Sequence, residues 1–599
     1  MGKKFLVSTS HEIQNLDDKE KKIAIHLNDN AKNFNFDDNI KDYKVIKNSL
    51  SAKKNCAKLT DKIFNQLYLH LINHNDFKIS KKAYRVVLAP FLNNFIEIIY
   101  YKYQNFDQFI SKNKNINLLV LDKSSFIYFD NFQQFISFSQ KDFFNTQLNT
   151  EIIIFNKYNN HKKVLKSSFI RQKIKKIKNI LLKRFKSVKE KKKFDFKKKK
   201  IDQIINFYKL DFRHKDFLKK LFKHKDPIKK NLNKIFLNNF KLEYCNQNIE
   251  LRKKIVKKLK SKTRIDQFIF EMVIKYLPPL YFESVKNNFK LMHNNIKSVP
   301  SVLISNAHGW WTDDNFKFYL GFCIENFTKY VDVQHNGTYF VINKNPHYEI
   351  SKYFRNYFFG WGEACENKKT NIKLPALYNT TNNHEKFKKK INKKNNKIIY
   401  MGASIKRYFG GYFQSYLNGG NASSYYYSQL KFFKNLSTTN RKNLILRLRH
   451  NERDPRKYMD ILKTKFKDIN YEDIKIPASK RLAKDDVKVI IVDHCSTPWL
   501  EALYANKPLI LFWSKSENLI DKNFKIMLNA LKKNKIYFDC PIAAAKRLEE
   551  ITKKDIKWWY KEKKIQQLRK KLLNLFFYSN SKPVKEWNNI IKRIFYGRV

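Results

Sequence analysis

Ser496, Thr497 and Glu501 stand just behind an apolar run, Val487-Lys-Val-Ile-Ile-Val492, that ends at Asp493. That order reads as a buried strand, a tight turn and a helix starting with Thr497 as N-cap. Pro498 then falls in the first turn, where its missing N–H costs nothing. Ligands of open α/β sheets bind at the carboxyl ends of strands, and free N–H groups at a helix N-terminus favour an anion. Ser496 and Thr497 would add hydroxyl donors to such a phosphate cradle, and Glu501, one turn on, would accept hydrogen bonds from a ribose. The same residues suit a plain capped helix in which Thr497 satisfies its own backbone and Glu501 complements the dipole. Spacing does not separate the two readings.

Arg447 and Arg449 lie two apart in the strand-like Asn443-Leu-Ile-Leu-Arg-Leu-Arg449, so both point to one face. Guanidinium groups there would neutralise a leaving nucleoside diphosphate in place of a metal. An ion pair at a sheet edge or domain interface is the even alternative. Gly402-Ala-Ser404 follows another strand and would place backbone N–H groups near phosphate around Ser404; an ordinary strand-to-loop turn uses the same residues. Gly410-Gly411 and Gly419-Gly420 stand out in a chain with 12 glycines and suggest a tightly turned active-site loop. No GxGxxG or Walker pattern occurs, which argues against a dinucleotide enzyme or a P-loop ATPase.

For acid–base work the candidates are His335, His308, Asp313 and Glu12. His335 ends a strand in Gln-His-Asn-Gly, on the side of a parallel sheet that faces the cleft. A neutral imidazole there suits removal of a proton from an acceptor hydroxyl. Its bland counterpart is a loop histidine bonded to backbone. His308 and Asp313 flank Gly309-Trp-Trp311, whose tryptophans either stack on a sugar or plug the domain, the second being commoner.

The elements that must position these residues alternate between strand-like and helix-like pieces. Phe5–Ser10, Leu118–Asp122 and Glu151–Phe155 are apolar runs of strand length, with helix-like sequence over about 57–113. From roughly 160 to 295, Lys and Arg alternate with Ile, Leu and Phe at helical spacing, and strand signals nearly vanish. Strand patterns return at Val302–Ser305, Tyr330–Gln334 and Tyr357–Trp361, then at 397–402, 443–449, 487–493 and 508–513. Near-continuous apolar strands alternating with helices predict parallel sheets covered on both faces. The expected organisation is an N-terminal α/β domain over 1–159 and 296–365, interrupted by a basic helical insertion at 160–295. A linker at 366–395, a C-terminal α/β domain at 396–540 and helices over 541–599 follow.

The chain has 599 residues with 122 Lys+Arg against 53 Asp+Glu, a net charge of +69. Such a charge asks for an acidic partner, but Lys, Asn, Ile, Phe and Tyr are all abundant while Gly, Ala and Pro are scarce, as A/T-rich coding produces. A nucleic-acid-binding protein using the basic helices at 161–261 is therefore the alternative and not the leading reading; zinc spacing and a single-strand reader are both lacking. Six scattered cysteines form no CxxC pair, so free thiols without disulfide or structural metal are expected. No window approaches ~18 uninterrupted apolar residues, and the apolar piece at the N-terminus is too short for a secretory signal. A cytoplasmic protein is expected, with weak peripheral contact between the basic helices and anionic inner-membrane lipid.

The pattern D-x-x-S-T-x-x-L-E-A-L-x-x-N-K-P-x-I at 493–510 resembles the nucleotide-sugar half-site of GT-B glycosyltransferases. More narrowly, the chain resembles transferases of bacterial O-antigen and surface-polysaccharide clusters. Further pieces in the same order carry this: Phe5-Leu-Val-Ser-Thr, Tyr84-Arg-Val-Val-Leu-Ala-Pro-Phe-Leu, Asp332-Val-Gln-His-Asn-Gly-Thr-Tyr339, Phe359-Gly-Trp-Gly362 and Leu446-Arg-Leu-Arg449. Two positions depart from that pattern, Asn336 and Cys495, where glycine would leave the backbone more freedom. The resemblance implies two Rossmann-like domains and a transferase. No D-x-D carboxylate pair sits at a strand end, while Arg447, Arg449 and helix-terminal N–H groups can supply positive charge, so the transferase is expected to need neither metal nor cofactor. Its partners would be a nucleotide-activated sugar donor and a glycan or lipid-linked acceptor. The donor would be held by Ser496, Thr497, Glu501, Arg447, Arg449 and Ser404, and the chemistry carried by His335, His308 and Asp313.

Overall fold

Apolar strands whose two faces are both buried need helices on each side, and the chain supplies them around three all-parallel sheets among its described residues. The computed structural model describes residues 4–7, 24–26, 50–74, 77–112, 116–158, 162–165, 198–208, 220–221, 229–232, 240–259, 261, 263–366, 369–376, 397–403, 408, 410–411, 422–449, 462–472, 478–482, 486–513 and 520–599. In chain order the strands are β1 Lys4–Val7, β2 Ala24–His26, β3 Ile116–Leu121, β4 Lys162–Leu165, β5 Lys200–Tyr208, β6 Lys229–Leu232, β7 Ser298–Asn306 and β8 Lys329–Val333. They continue with β9 Tyr357–Gly360, β10 Asn371–Lys373, β11 Lys397–Ala403, β12 Leu444–Arg449, β13 Asn470–Tyr471, β14 Val487–Val492, β15 Leu509–Phe512 and β16 Tyr537–Phe538.

The first sheet runs β2-β1-β3-β4 and the second β10-β9-β8-β7-β5-β6. In the second, side chains alternate by the period of two that a strand imposes. Val302 and Ile304 face one way and pack with Val331, Val333 and Phe359 against Trp587, Ile591 and Ile594 of the helix Pro583–Phe595. Val299 and Leu303 face the other way, into a large core built on the helices Leu50–His74, Lys81–Lys112, Arg264–Tyr276 and Asp314–Glu325. The end of the chain thus returns to cover a sheet formed some 250 residues earlier, with Trp587 Nε1 donating to the Pro375 carbonyl at 3.0 Å.

The third sheet runs β13-β12-β11-β14-β15-β16. Ile399, Met401, Ile490 and Val492 bury one face against the helices Thr497–Tyr504, Lys522–Lys533 and Lys563–Phe576. Ile398, Tyr400, Val489 and Ile491 bury the other against Ala422–Lys434 and Pro541–Thr552. Strand order reverses between β11 and β14, which opens a crevice at their carboxyl ends. In the second sheet the corresponding switch lies between β5 and β7.

Several expectations change. The α/β class with parallel sheets stands, but the N-terminal half holds two separate sheets where the sequence suggested one interrupted domain. Within the supposed helical insertion, β5 pairs with β7 at the heart of the second sheet; the alternation in Ile201-Asp-Gln-Ile-Ile-Asn-Phe-Tyr208 is of strand type and was masked by the surrounding lysines. The described part of 240–295 is mainly helical, whereas the densest basic stretch, 166–197, lies outside the described residues. Glu151–Phe155 ends the helix Asp142–Phe155 and is no strand; Phe144, Leu148 and Ile152 recur on its buried side at helical spacing. The linker at 366–395 contains the edge strand β10, and 377–395 lies outside the described residues.

Candidate active site

The second sheet delivers its residues from the ends of β7 and β8. Asn306 closes β7 and caps the short helix Ala307–Thr312, its Oδ1 accepting from the His308 N–H at 3.0 Å. His308 is thereby left exposed beyond the carboxyl end of β7. After β8, Gln334 braces the turn: its Oε1 accepts from the Trp361 N–H at 3.0 Å and its Nε2 donates to the Asn336 carbonyl at 2.9 Å. The turn holds His335 with 9% of its surface exposed. The His308 and His335 rings meet edge to face with centroids 4.7 Å apart. His347, from the helix Pro346–Ser351, closes on the same ring at 4.9 Å and on Trp311 at 4.5 Å. Burial and the neighbouring His308 push the His347 imidazole well below its ordinary value, to about 3, so it stays neutral at physiological pH.

Beneath these rings lies Asp332, fully buried, which accepts from Trp310 Nε1 at 3.2 Å and has Arg355 4.0 Å away. Desolvation pushes its carboxyl up to about 6, against the pull of Arg355 and its hydrogen bonds. Asp313 is spent differently. Its Oδ1 caps the helix Asp314–Glu325 by accepting from the Phe316 N–H at 3.1 Å, and its Oδ2 accepts from the Tyr208 hydroxyl at 2.7 Å. Tyr208 ends β5, so Asp313 ties the switch point of the second sheet together. Trp310 and Trp311 are buried and plug the domain.

The third sheet delivers its residues from β14. Asp493 is 1% exposed and takes hydrogen bonds at Oδ2 from Tyr400, Tyr425 and Gln429 at 2.6, 2.7 and 2.6 Å. Its Oδ1 lies 2.9 Å from His494 Nδ1. Four partners on one buried carboxylate seal the floor of the crevice between β11 and β14. The N-cap of the next helix is Ser496, without a side-chain cap hydrogen bond, and Thr497 is its first helical residue. This corrects the expected Thr497 cap: the Thr497 hydroxyl instead accepts from the Gly337 N–H at 3.0 Å, across the cleft. Glu501, one turn in, is 5% exposed beside Leu500 and Trp499.

That bond ties the His335 turn to the helix start, because Gly337 follows His335 by two residues. The approach is close enough that a Cβ on Gly337 would sit 2.7 Å from Leu500 Cδ1 and 3.0 Å from Thr497 Cα. Beyond it, Val341 and Ile342 enter the hydrophobic core of the third sheet, Ile342 pairs with Ile520, and the Asp521 N–H donates to the Val341 carbonyl at 2.9 Å.

Of the anticipated residues, His308 and His335 are brought together, and Ser496, Thr497 and Glu501 share the facing helix start. Arg447 is not presented to the cleft as a spare cation: it is 3% exposed and ion-paired to Glu472, which also binds Arg481. Glu472 follows β13, the strand that pairs with β12, and so lies within reach of Arg447. The side chain of Arg449 and all of Ser404 and Glu12 lie outside the described residues. Tyr339, His347 and His494 were missed. His494 was readable from its place next to the strand-ending Asp493, whereas His347 and Tyr339 reach the site only through tertiary packing. Among the described residues no three His, Cys, Asp or Glu side chains converge in a way that would hold a metal ion.

A family model described as LIC12162 family transferase matches residues 19–591. No curated protein matches. Among solved structures, the chain is similar to a UDP-glucosyltransferase from Polygonum tinctorium capable of glucosylating indoxyl, in complex with 3,4-dichloroaniline. Identity is 11% and TM-score 0.33, over 66% of this chain and 99% of that one. It is also similar to Medicago truncatula UGT71G1 complexed with UDP-glucose, at 10% identity and TM-score 0.32, over 65% of this chain and 98% of that one.

Proposed function

Because the chain belongs to the LIC12162 family of transferases, whose model spans residues 19–591, we propose that it moves a sugar or related group from a nucleotide-activated donor to a hydroxyl of a surface-polysaccharide precursor. The observation that carries this reading is the contact of the His335-Asn-Gly337 turn with the helix start at Ser496 and Thr497. It sets a proton acceptor from one parallel sheet against an anion-favouring helix terminus from another. The diphosphate of the donor lies at the Ser496 hydroxyl and the first N–H groups of Thr497–Tyr504, and Glu501 reaches its ribose. Thr497 contributes its backbone N–H, and its hydroxyl, which accepts from Gly337, keeps its own proton to donate.

In the transfer, the acceptor oxygen bonds to the anomeric carbon as the bond from that carbon to the phosphate oxygen breaks. The electron pair leaves on the nucleoside diphosphate, and the acceptor proton passes to His335. The helix N–H groups stabilise the charge that develops on the leaving oxygen. His308, at the rim, orients the acceptor. Since Arg447 is held by Glu472, the helix terminus carries the electrostatic work without it.

A lipid-linked acceptor would place the enzyme at an anionic membrane surface. Among the described residues no helix is long and apolar enough to cross a membrane, so the contact proposed is peripheral and made by exposed lysines. The donor class is tested by thermal shift with UDP-, GDP-, CMP- and dTDP-linked sugars. One base should raise the melting temperature of the wild type and not of Glu501→Gln. No stabilisation by any of them refutes the donor site.

A further inference from the structure

The hydrogen bonds around Asn336 determine where the protons of His335 lie. Asn336 Oδ1 accepts from the Thr338 N–H at 3.0 Å and from the Thr338 hydroxyl at 2.5 Å. A backbone N–H can only donate, so the atom facing it is the carbonyl oxygen, and the amide nitrogen is at the other end. That nitrogen, Nδ2, lies 2.7 Å from His335 Nε2. An amide nitrogen can only donate as well, so Nε2 must offer a lone pair, and the imidazole proton sits on Nδ1, 2.9 Å from the Tyr339 hydroxyl. The Thr338 hydroxyl is itself fixed by Asn345 Nδ2 at 2.9 Å. The orientation is therefore set from both sides.

Asn336 is half-buried and lies over His335, which is 9% exposed. The other titratable groups around the ring are His308 at the rim, His347 on the opposite side and Tyr339 at Nδ1, with the Asp332–Arg355 pair below Tyr339.

We propose that Asn336 is a positioning residue that keeps the His335 Nε2 lone pair unprotonated and surrenders it to an incoming acceptor hydroxyl. Protonating Nε2 would set an N–H against the amide N–H, so the imidazolium is disfavoured while the carboxamide is in place. An acceptor hydroxyl takes over the same lone pair by turning the Asn336 side chain aside, and its proton then moves to Nε2 as its oxygen attacks the donor. The acceptor's entry and the readiness of the base become one event. This rests on His335 being the base of the proposed transfer.

The test reads the imidazole directly, in protein carrying isotope-labelled histidine, with the His335 signal assigned by its loss in His335→Gln. The wild type should show the neutral tautomer protonated at Nδ1. Asn336→Ala should raise the His335 titration midpoint by about one pH unit, and Asn336→Asp, which keeps both Thr338 bonds, by about one to three. The acid limb of kcat/KM should move with it in Asn336→Asp. A wild-type tautomer protonated at Nε2, or midpoints unchanged in both variants, overturns the proposal. Turnover retained by His335→Gln sinks the base reading instead, and leaves the imidazole spectra to judge Asn336 on their own.

Discussion

Replacing Gly337 by alanine tests the closest point between the two halves of the site. The added Cβ would meet Leu500 Cδ1 at 2.7 Å, Thr497 Cα at 3.0 Å and Thr497 N at 3.3 Å. Gly337 does not have a positive φ, so the cost is contact and not backbone strain. Leu500 is fully buried and Thr497 Cα belongs to the helix start, so neither neighbour has room to give. Overpacking of this kind costs about 1–3 kcal/mol. If the loop retreats, the Gly337–Thr497 hydrogen bond goes too, at about 0.5–1.5 kcal/mol. Together, roughly 1.5–4.5 kcal/mol disfavours the contact between the His335–Gly337 turn and the helix start by about ten- to two-thousand-fold. In urea titrations the variant should unfold earlier, and in steady-state assays kcat/KM should fall by at least ten-fold. Thr497→Val, which deletes the hydroxyl and keeps the shape, should reproduce a smaller part of the loss. Wild-type stability and turnover in Gly337→Ala would refute the reasoning.

Three other outcomes are expected. Glu501→Gln keeps shape and helix propensity but should weaken donor binding by about ten- to a hundred-fold, the value of one hydrogen bond to a charged group, by calorimetric titration. His347, whose folded value is lowered to about 3, contributes stability above the unfolded value near 6.5 that is lost as pH falls from there toward 3; His347→Phe should therefore lose less of its urea midpoint between pH 7 and 5 than the wild type. Transfer should persist in EDTA, because the helix terminus supplies the positive potential at the leaving group; activity abolished by chelation and restored by Mn²⁺ contradicts that assignment.

Much of the third sheet was legible because β11, β12, β14 and β15 are short, almost wholly apolar runs between helix-length segments, which a strand buried on both faces requires. The strand-turn-helix around Asp493 is legible in order, but which residue caps the helix is not. The serine and the threonine are both good caps, and only the nearness of Gly337 decides which hydroxyl goes where. Arg447 illustrates a second limit: alternation places a side chain on a face, but Glu472, 25 residues on, decides whether its charge is available. β5 was hidden by lysines whose density mimics helical spacing. Asp313 looked catalytic because it stands near His308, and the Tyr208 hydroxyl that occupies it comes from a strand about a hundred residues earlier. The histidine cluster joins the ends of separate elements, so nothing local in the sequence marks it.

Whether the proton acceptor and the donor site are separate halves of one centre is tested most directly by measuring donor affinity and single-turnover transfer together in His335→Gln and Glu501→Gln. His335→Gln should bind the donor as the wild type does and lose transfer by about a hundred-fold or more, while Glu501→Gln should lose affinity first. Donor binding lost in His335→Gln, or transfer undiminished in it, would contradict the assignment.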